Sequence, residues 1–437
     1  MTEPNLTLID NRKDDPLRKL QHAWAISFIG GEVHVLRRST VEKALSGGGQ
    51  QIEFIKKADA NLMMGRFLES LEISCSPPKV IAEWWKHPDT KVYDEIAFSP
   101  LPMPESTLNL WIPPQVIPVQ GDWKIIDNFL FDVICDKDKP LYLYICYFIA
   151  HALQHPDIKP GIMLVLIGAE GVGKGFFLLL IAAIWGKTTI EVSDMAKVVG
   201  TFNKDIETKF WILLDEALFK GDFKSQDKLK SLVTEHTVQV EQKHEPSRTI
   251  ESFHRFVATT NRQQFSQIRT DNRRDVFIRV SEIHKQDHRY FAKLDAALRD
   301  GKTVPAFVDS LLKLDLTNFE PRQRPQTTET VEQKILSLAN FPRYWHEVLY
   351  AGNFNVKETY YSCDHNWWEA AHIRSEDLIN HYRNYDKTAE RHESIQQSTM
   401  YATALSMCPS AARKKVQNRW GLSYPDLETA RKEFEVY

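Results

Sequence analysis

Cysteine is the first scarcity. The 437-residue chain has five, at Cys75, Cys135, Cys146, Cys363 and Cys408, and no two form a C-x-x-C pair. That excludes a disulfide scaffold and suits a reducing compartment. Cys363, His365 and His372 lack finger spacing and a fourth ligand, so no zinc site is expected there. Long apolar runs are missing as well. Phe176 to Trp185, the most apolar stretch, is about half the roughly 20 residues that span a bilayer, so no membrane is expected. The polar beginning (Glu3, Asn5, Asp10, Arg12, Lys13) does not read as a secretory leader. Neither sign of charge dominates, with a net −3. Any nucleic-acid contact must therefore come from local basic clusters. A soluble, cytoplasmic protein is the expectation.

Apolar residues at 43% and charged residues at 26% are an ordinary globular balance, and the length allows two or three domains. The most informative stretch is Val165-Leu-Ile-Gly-Ala-Glu-Gly-Val-Gly-Lys-Gly-Phe-Phe177. Gly168, Gly173 and Lys174 fit G-x-x-x-x-G-K, the phosphate loop. Ile162 to Ile167 reads as a buried strand, and Phe176 to Trp185 as an apolar helix stopped by Gly186. A triphosphate needs such a turn because inward-pointing N–H groups and a helix N-terminus meet its charge. The loop residues expected around the nucleotide are Gly168, Glu170, Gly171, Val172, Gly173, Lys174, Gly175 and Phe176. Lys174 would reach the β- and γ-phosphates. Gly175 departs from the motif, standing where Ser or Thr normally offers Mg²⁺ a hydroxyl.

Two further strands carry polar ends. Lys209-Phe-Trp-Ile-Leu-Leu-Asp215-Glu216 is apolar until its paired carboxylates. In a phosphate-loop enzyme the first holds Mg²⁺ and the second polarises the attacking water. His254-Arg-Phe-Val-Ala-Thr-Thr-Asn261 ends in an amide able to bond the γ-phosphate or the water. Arg269 and the pair Arg273-Arg274 follow, before the strand Val276 to Val280. Arginines there can act across a subunit boundary as fingers; Arg269 reads better as solvated surface.

Around this centre the chain divides into five parts. Residues 1–115 form an N-terminal module of mixed α+β character. It has a hairpin from His22–Ile29 and Val33–Leu36 across Gly30-Gly31, a helix around Ile81–His87 and a proline-rich connector, Ser99 to Pro118. Residues 116–157 have the spacing of two helices, with His151 and His155 at i, i+4 read as packing rather than metal ligands. Residues 158–285 form the nucleotide core, 286–330 lid helices and a linker, and 331–437 a small α-rich, winged-helix-like domain. Within that last part Trp367-Trp368 and the basic run Arg413-Lys-Lys415 with Arg419 are candidates to touch DNA, against the plainer reading of a solvated face. Between the acidic pair and Asn261, Val238 to Ile250 alternates like a β-hairpin with Lys243, His244 and Arg248 near its tip.

The order Gly-x4-Gly-Lys, Leu-Leu-Asp-Glu, Ala-Thr-Thr-Asn, Asp-x-Arg-Arg resembles superfamily 3 helicases of the AAA+ class. More narrowly it is similar to the helicase part of phage and mobile-element primase-helicases. Leu108–Trp111, Leu153–Pro156, Gly200–Asn203, Leu229–Thr234 and Glu241–Lys243 fit the same family. The resemblance runs from about residue 105 to the C-terminus, and Gly after the loop lysine is common in the family. It implies an α/β AAA+ core and a ring, usually a homo-hexamer, that hydrolyses ATP with Mg²⁺ at subunit interfaces. It also implies translocation on single-stranded or forked DNA in a bacterial host, with a primase or other replication proteins as partners. Carried onto this chain, Lys174 is the phosphate lysine, Asp215 the Mg²⁺ carboxylate and Glu216 the base. Asn261 is the sensor and Arg273 or Arg274 the finger, while Lys243, His244 and Arg248 would line the DNA channel. The N-terminal part is too short for a primase domain, so no primase activity is expected. An ATP-switched initiator that does not unwind processively and a nucleotide kinase are the competing readings.

Overall fold

The computed structural model describes residues 15–29, 31–46, 52–201, 203–216, 223–241, 248–261, 274–327, 329–331, 338, 340–354, 367, 371–388, 396–416 and 418–436. The described residues form two compact units, one within 15–261 with 274–325 and one within 326–436.

The first unit opens with α1 (Pro16–Ala23), β1 (Trp24–Ile29) and β2 (Glu32–Arg37). His22 and Ala23, expected in the hairpin, close α1 instead, because Asp15 caps it and Pro16 sets its first turn. Helix α2 (Arg38–Leu45), β3 (Ile55–Lys56), α3 (Lys57–Ser70), α4 (Pro77–Trp84) and β4 (Val92–Tyr93) complete a sheet of order β3-β2-β1-β4 with helices packed on it. A short parallel pair follows, β5 (Glu95–Ala97) just before the connector and β6 (Thr107–Asn109) within it. Trp111 follows, its ring against Phe98 and Phe210 of the core.

The next segment is the expected pair of helices, and the first of them is not regular. α5 (Lys124–Asn128) runs straight into a π-helical turn, Phe129–Ile134, before α6 (Lys139–Gln154). The wider turn buries Phe129, Leu130, Val133 and Ile134 together on one side of the segment.

Strands β7 (Met163–Ile167), β8 (Thr189–Val192) and β9 (Trp211–Asp215) come next, with α7 (Lys174–Trp185) after β7 and α8 (Ala196–Val199) after β8. Then follow α9 (Phe223–Thr234), the hairpin β10 (Thr237–Val240) and β11 (Arg248–Glu251), and strands β12 (Arg255–Thr260) and β13 (Asp275–Arg279). The five strands of the core sheet are all parallel, in the order β13-β7-β12-β9-β8. Continuous apolar runs such as Met-Leu-Val-Leu-Ile are what a parallel sheet covered on both faces requires. Helix α7 covers one face with Phe177, Leu178, Ile181 and Ile184, and α10 (His288–Arg299) and α11 (Thr303–Leu312) join the same core.

The amino edge of this sheet is tied by buried cations. Arg255, fully buried, donates through Nη2 to the carbonyls of His155 and Ile158, both at 3.0 Å, and lies over the Phe210 ring. Lys159 Nζ donates to Leu232 O at 2.7 Å, Glu235 O at 2.6 Å and Ser252 Oγ at 2.5 Å, closing the end of α9 onto the root of the hairpin. Asn203 holds β10 from the other side, donating to Gln239 O and accepting from Glu241 N, each at 3.0 Å. His151 Nδ1 lies 3.2 Å from Arg255 Nη2, and its ring packs against that of His155, with centroids 5.5 Å apart.

Burial, then the nearby Arg255 guanidinium, pushes His151 down to about 3; burial and Lys159 do the same to His254. Both stay neutral in the fold, while the unfolded chain takes up protons below about 6.5. Their stabilisation is thus complete above that value and is lost as pH falls toward 3. Unfolding free energy by urea titration is expected to drop by roughly 2.7 kcal/mol, about 1.4 per ring, between about pH 7.5 and about pH 5.5. Equal stability at both values would mean the two rings are protonated in the folded chain.

The second unit contains α12 (Asn340–Ala351), β14 (Ala371–Arg374), α13 (Ser375–Thr388), α14 (Gln397–Met407), β15 (Ala412–Val416), β16 (Arg419–Tyr424) and α15 (Leu427–Val436). Its antiparallel sheet has the order β14-β16-β15. The core is aromatic: Trp345 and Trp367 pack with Phe354 and Tyr424. Trp367, a sequence candidate for DNA, is fully buried and donates Nε1–H to Pro425 O at 2.8 Å. Its bulk fills the core between helix and sheet, so it faces no ligand. Trp368 lies outside the described residues.

Candidate functional site

The parallel topology brings the polar strand ends together. Thr259 pairs with Asp215 and Thr260 with Ile167, so the loop after β7, the acidic pair after β9 and Asn261 after β12 share the carboxyl edge of three adjacent strands. In open α/β sheets ligands bind at that edge. Main-chain bonds lock the ends in step: Gly168 N–H donates to Thr260 O and Glu216 N–H to Thr259 O, both at 3.2 Å.

Lys174, only 8% exposed, begins α7 and turns its Nζ back onto its own loop. It donates to Gly168 O at 2.7 Å and Ala169 O at 2.9 Å. Burial holds its pKa below the ordinary lysine value, and the carboxylates of Glu216, Asp215 and Glu170 oppose that shift in this order. The edge thus sets a buried cation, held by carbonyl dipoles, close to two strand-end carboxylates. Asp215 Oδ1 accepts a hydrogen bond from Thr259 Oγ1, which orients one carboxylate oxygen. Glu216 sits at φ +51°, a conformation uncommon outside glycine, and Oε2 accepts from Asn261 N–H at 3.3 Å. Asn261 thus meets Glu216 through its main chain, whereas the sensor reading rests on its side-chain amide.

The loop's glycines differ in what the fold asks of them. Gly173 has φ +110°, and a Cβ there would lie 3.0 Å from Phe291 Cε1 and 3.3 Å from Phe129 Cε2. Gly175 has open space, with nothing within 4 Å of the place a Cβ would occupy. Gly173→Ala is therefore expected to cost about 1–3 kcal/mol from backbone strain and overpacking and to remove nucleotide binding. Gly175→Ala keeps the fold. Thermal unfolding and titration with a fluorescent nucleotide check the pair; wild-type binding by Gly173→Ala would show that the cradle does not need the glycine.

Several residues at this edge were not among the sequence candidates. Thr259 orients Asp215, and only the strand order places it there. Gln286 donates its N–H to Gly171 O at 3.0 Å, docking the turn before α10 on the loop. Phe291 stacks on Phe176 at 4.8 Å, so α10 covers the start of α7. Glu191, on the neighbouring edge strand, is held above the usual carboxylate range by burial and by Asp215. Val172 is buried, while Glu170 is exposed.

The remaining candidates are apart from this cluster. Arg274 precedes β13 at the amino edge, where its carbonyl accepts from Met163 N–H at 2.9 Å. The length of β7, roughly 15 Å at 3.3 Å per residue, separates it from the loop, beyond an arginine's reach within one chain. Arg273, Lys243 and His244 lie outside the described residues, and Arg248 begins β11, paired with Val240. Among the described residues no group of three or more His, Cys, Asp or Glu is placed to hold a metal, and no helix is long and apolar enough to cross a membrane.

Fold and site together define a mixed α/β protein with a glycine-rich turn at the carboxyl edge of a parallel sheet. Residues 166–274 match the model of a family of unknown function, DUF5906. That span holds the loop, the acidic pair and Asn261. No curated protein matches the chain. Three apo structures of the NrS-1 C-terminal region are similar to it. One, of residues 305–718, has a TM-score of 0.63 at 15% identity, covering 94% of this chain and 99% of that one. The second has 0.64 at 15%, covering 94% and 100%, and the third 0.62 at 14%, covering 94% and 99%. At that identity the likeness is one of fold, and it extends over the accessory parts as well as the sheet.

Proposed function

We propose that this chain is an ATP-dependent DNA helicase of phage or mobile-element replication, a superfamily 3-like AAA+ motor acting as a homo-hexameric ring. The observation that carries the reading is the meeting of Lys174, Asp215, Glu216 and Asn261 on one sheet edge, with Thr259 between the loop strand and the acidic strand. The strand order supports an AAA+ core, and the strand–helix order of the second unit supports a winged-helix-like domain.

Bound Mg²⁺ would neutralise charge on the β- and γ-phosphates. Asp215, with one oxygen already oriented by Thr259, is the residue to hold it; Gly175 offers no hydroxyl. Lys174 exchanges its two carbonyl partners for phosphate oxygens, which a buried ammonium favours. Glu216 takes the proton of the attacking water, its carboxylate steadied by the Asn261 amide. Arg274, at the opposite edge, serves a neighbour's site rather than its own, which makes the ring part of the reading; Arg273 is the alternative finger. Lys243, His244 and Arg248 are the residues to grip the phosphates of single-stranded or forked DNA. A primase or other replication proteins are the partners this activity calls for.

The test is ATP hydrolysis by wild type and Lys174→Ala with and without single-stranded DNA, followed by displacement of a forked duplex. Lys174-dependent hydrolysis that rises with DNA, with strand displacement, is the expected result. Hydrolysis indifferent to DNA and no displacement would replace the motor by an ATP-switched initiator. No nucleotide binding would overturn the reading altogether.

A further inference from the structure

The second unit carries a concentration of charge that the nucleotide site does not use. Between Pro409 and Pro425 stand Arg413, Lys414, Lys415 and Arg419, with no carboxylate, in a chain whose net charge is −3. The fold gathers these four onto one β-hairpin, β15–β16, and all four are exposed. Asn418, at φ +64°, makes the reversal possible. None of the four is paired cross-strand with another, so the ribbon carries their charge in the open, where a polyanion can reach it.

An aromatic ring stands among them. Trp420 is 51% exposed, unusual for an indole in a unit whose Trp345 and Trp367 are fully buried. Lys415 pairs directly with Trp420, and Arg413, two residues back, lies on the same face. The Arg413 guanidinium sits 4.8 Å from the Trp420 ring centre and 5.3 Å from that of Tyr401, which fixes the rotamers of cation and indole.

The platform is held from behind. Ser375 Oγ donates to Trp420 O at 2.9 Å. Beside it, Gly421 passes so near β14 that a Cβ would lie 2.3 Å from Ile373 O. The main chain under the indole is thus fixed while the ring stays open, so little ordering remains to be done on binding.

We infer that the β15–β16 hairpin is a binding site for single-stranded nucleic acid, with an unpaired base stacked on Trp420 beside Lys415 and the phosphates passing round the ribbon to Lys414 and Arg419 on its other face. Cations alone would suit any polyanion, including an anionic membrane. The exposed indole, pre-set by Arg413, selects a polyanion with flat faces to stack. The site is separate in sequence from the channel hairpin β10–β11 and does not depend on nucleotide hydrolysis.

Fluorescence anisotropy of the 437-residue chain, without nucleotide, tests this with labelled oligothymidylate and a labelled abasic strand of equal length. For Lys414→Gln/Lys415→Gln/Arg419→Gln, the slope of log affinity against log salt should flatten by about 2, from roughly 0.7 per cation removed. Trp420→Ala should weaken oligothymidylate binding about tenfold and leave the abasic strand unchanged; Trp420→Phe, keeping a ring, should restore most of the loss. Melting curves that match wild type show the variants are folded. Wild-type affinity and salt slope in the triple variant would overturn the site. Equal losses on both strands for Trp420→Ala, or tighter binding to anionic phospholipid vesicles than to the oligonucleotide, would overturn its assignment to bases. These outcomes are read whether or not the chain hydrolyses ATP, so the site and the motor stand or fall separately.

Discussion

Glu216→Gln is expected to lower ATP hydrolysis by on the order of 10³-fold while nucleotide still binds. The amide oxygen of glutamine can accept the Asn261 N–H as the carboxylate does at 3.3 Å, so the geometry at the strand ends survives. What is lost is the ability to take a proton from water as it attacks. The backbone at φ +51° is unchanged by the substitution, so its strain stays where it is. Removing a carboxylate that faces Lys174 leaves that cation less compensated until phosphate arrives, and nucleotide affinity should hold or rise slightly. Single-turnover hydrolysis and nucleotide titration separate the two effects. Hydrolysis within a few-fold of wild type would remove Glu216 from the role of base and point to another carboxylate, Glu191 being an unassigned candidate on the neighbouring strand.

The loop, the acidic pair and the Asn261 strand end were legible in the sequence because each is local. A glycine-rich turn between an apolar strand and an apolar helix, or a buried strand ending in charge, can be read without knowing its neighbours. What joins them was not legible. The insertion of β12 between β7 and β9 is a long-range choice, and it alone turns Thr259 from an ordinary strand residue into the partner of Asp215. The contact of Phe291 with Gly173 likewise depends on how α10 folds back over the loop. The π-helical turn at Phe129–Ile134 escaped because its apolar spacing fits a regular helix nearly as well. Trp367 and Trp420 show the limit most clearly. Both are tryptophans near basic or aromatic sequence in one small unit, yet one fills the core and the other stands open on a hairpin. The difference lies in which face each occupies, and that is set by tertiary pairing rather than by composition.

Lys174→Met is expected to raise the melting temperature of the nucleotide-free chain and to abolish its stabilisation by ATP and Mg²⁺. The ammonium is buried, and its hydrogen bonds among the described residues run to the carbonyls of Gly168 and Ala169. Its pKa is lowered by burial, so the charged form costs stability in the fold relative to the unfolded chain. The sign follows from proton uptake: below the unfolded value the unfolded chain holds the proton more firmly, and stability rises with pH through the interval between the folded and unfolded values. Methionine has a similar length and no charge to bury, which removes that cost. Wild type should instead gain about 2.7 kcal/mol from nucleotide at a hundred times its dissociation constant, and the variant none. Thermal melts with and without ATP and Mg²⁺ give both numbers. A variant less stable than wild type without nucleotide would show that the two carbonyl bonds outweigh burial, making Lys174 a structural clasp of the loop. A variant still stabilised by nucleotide would remove it from the phosphate site.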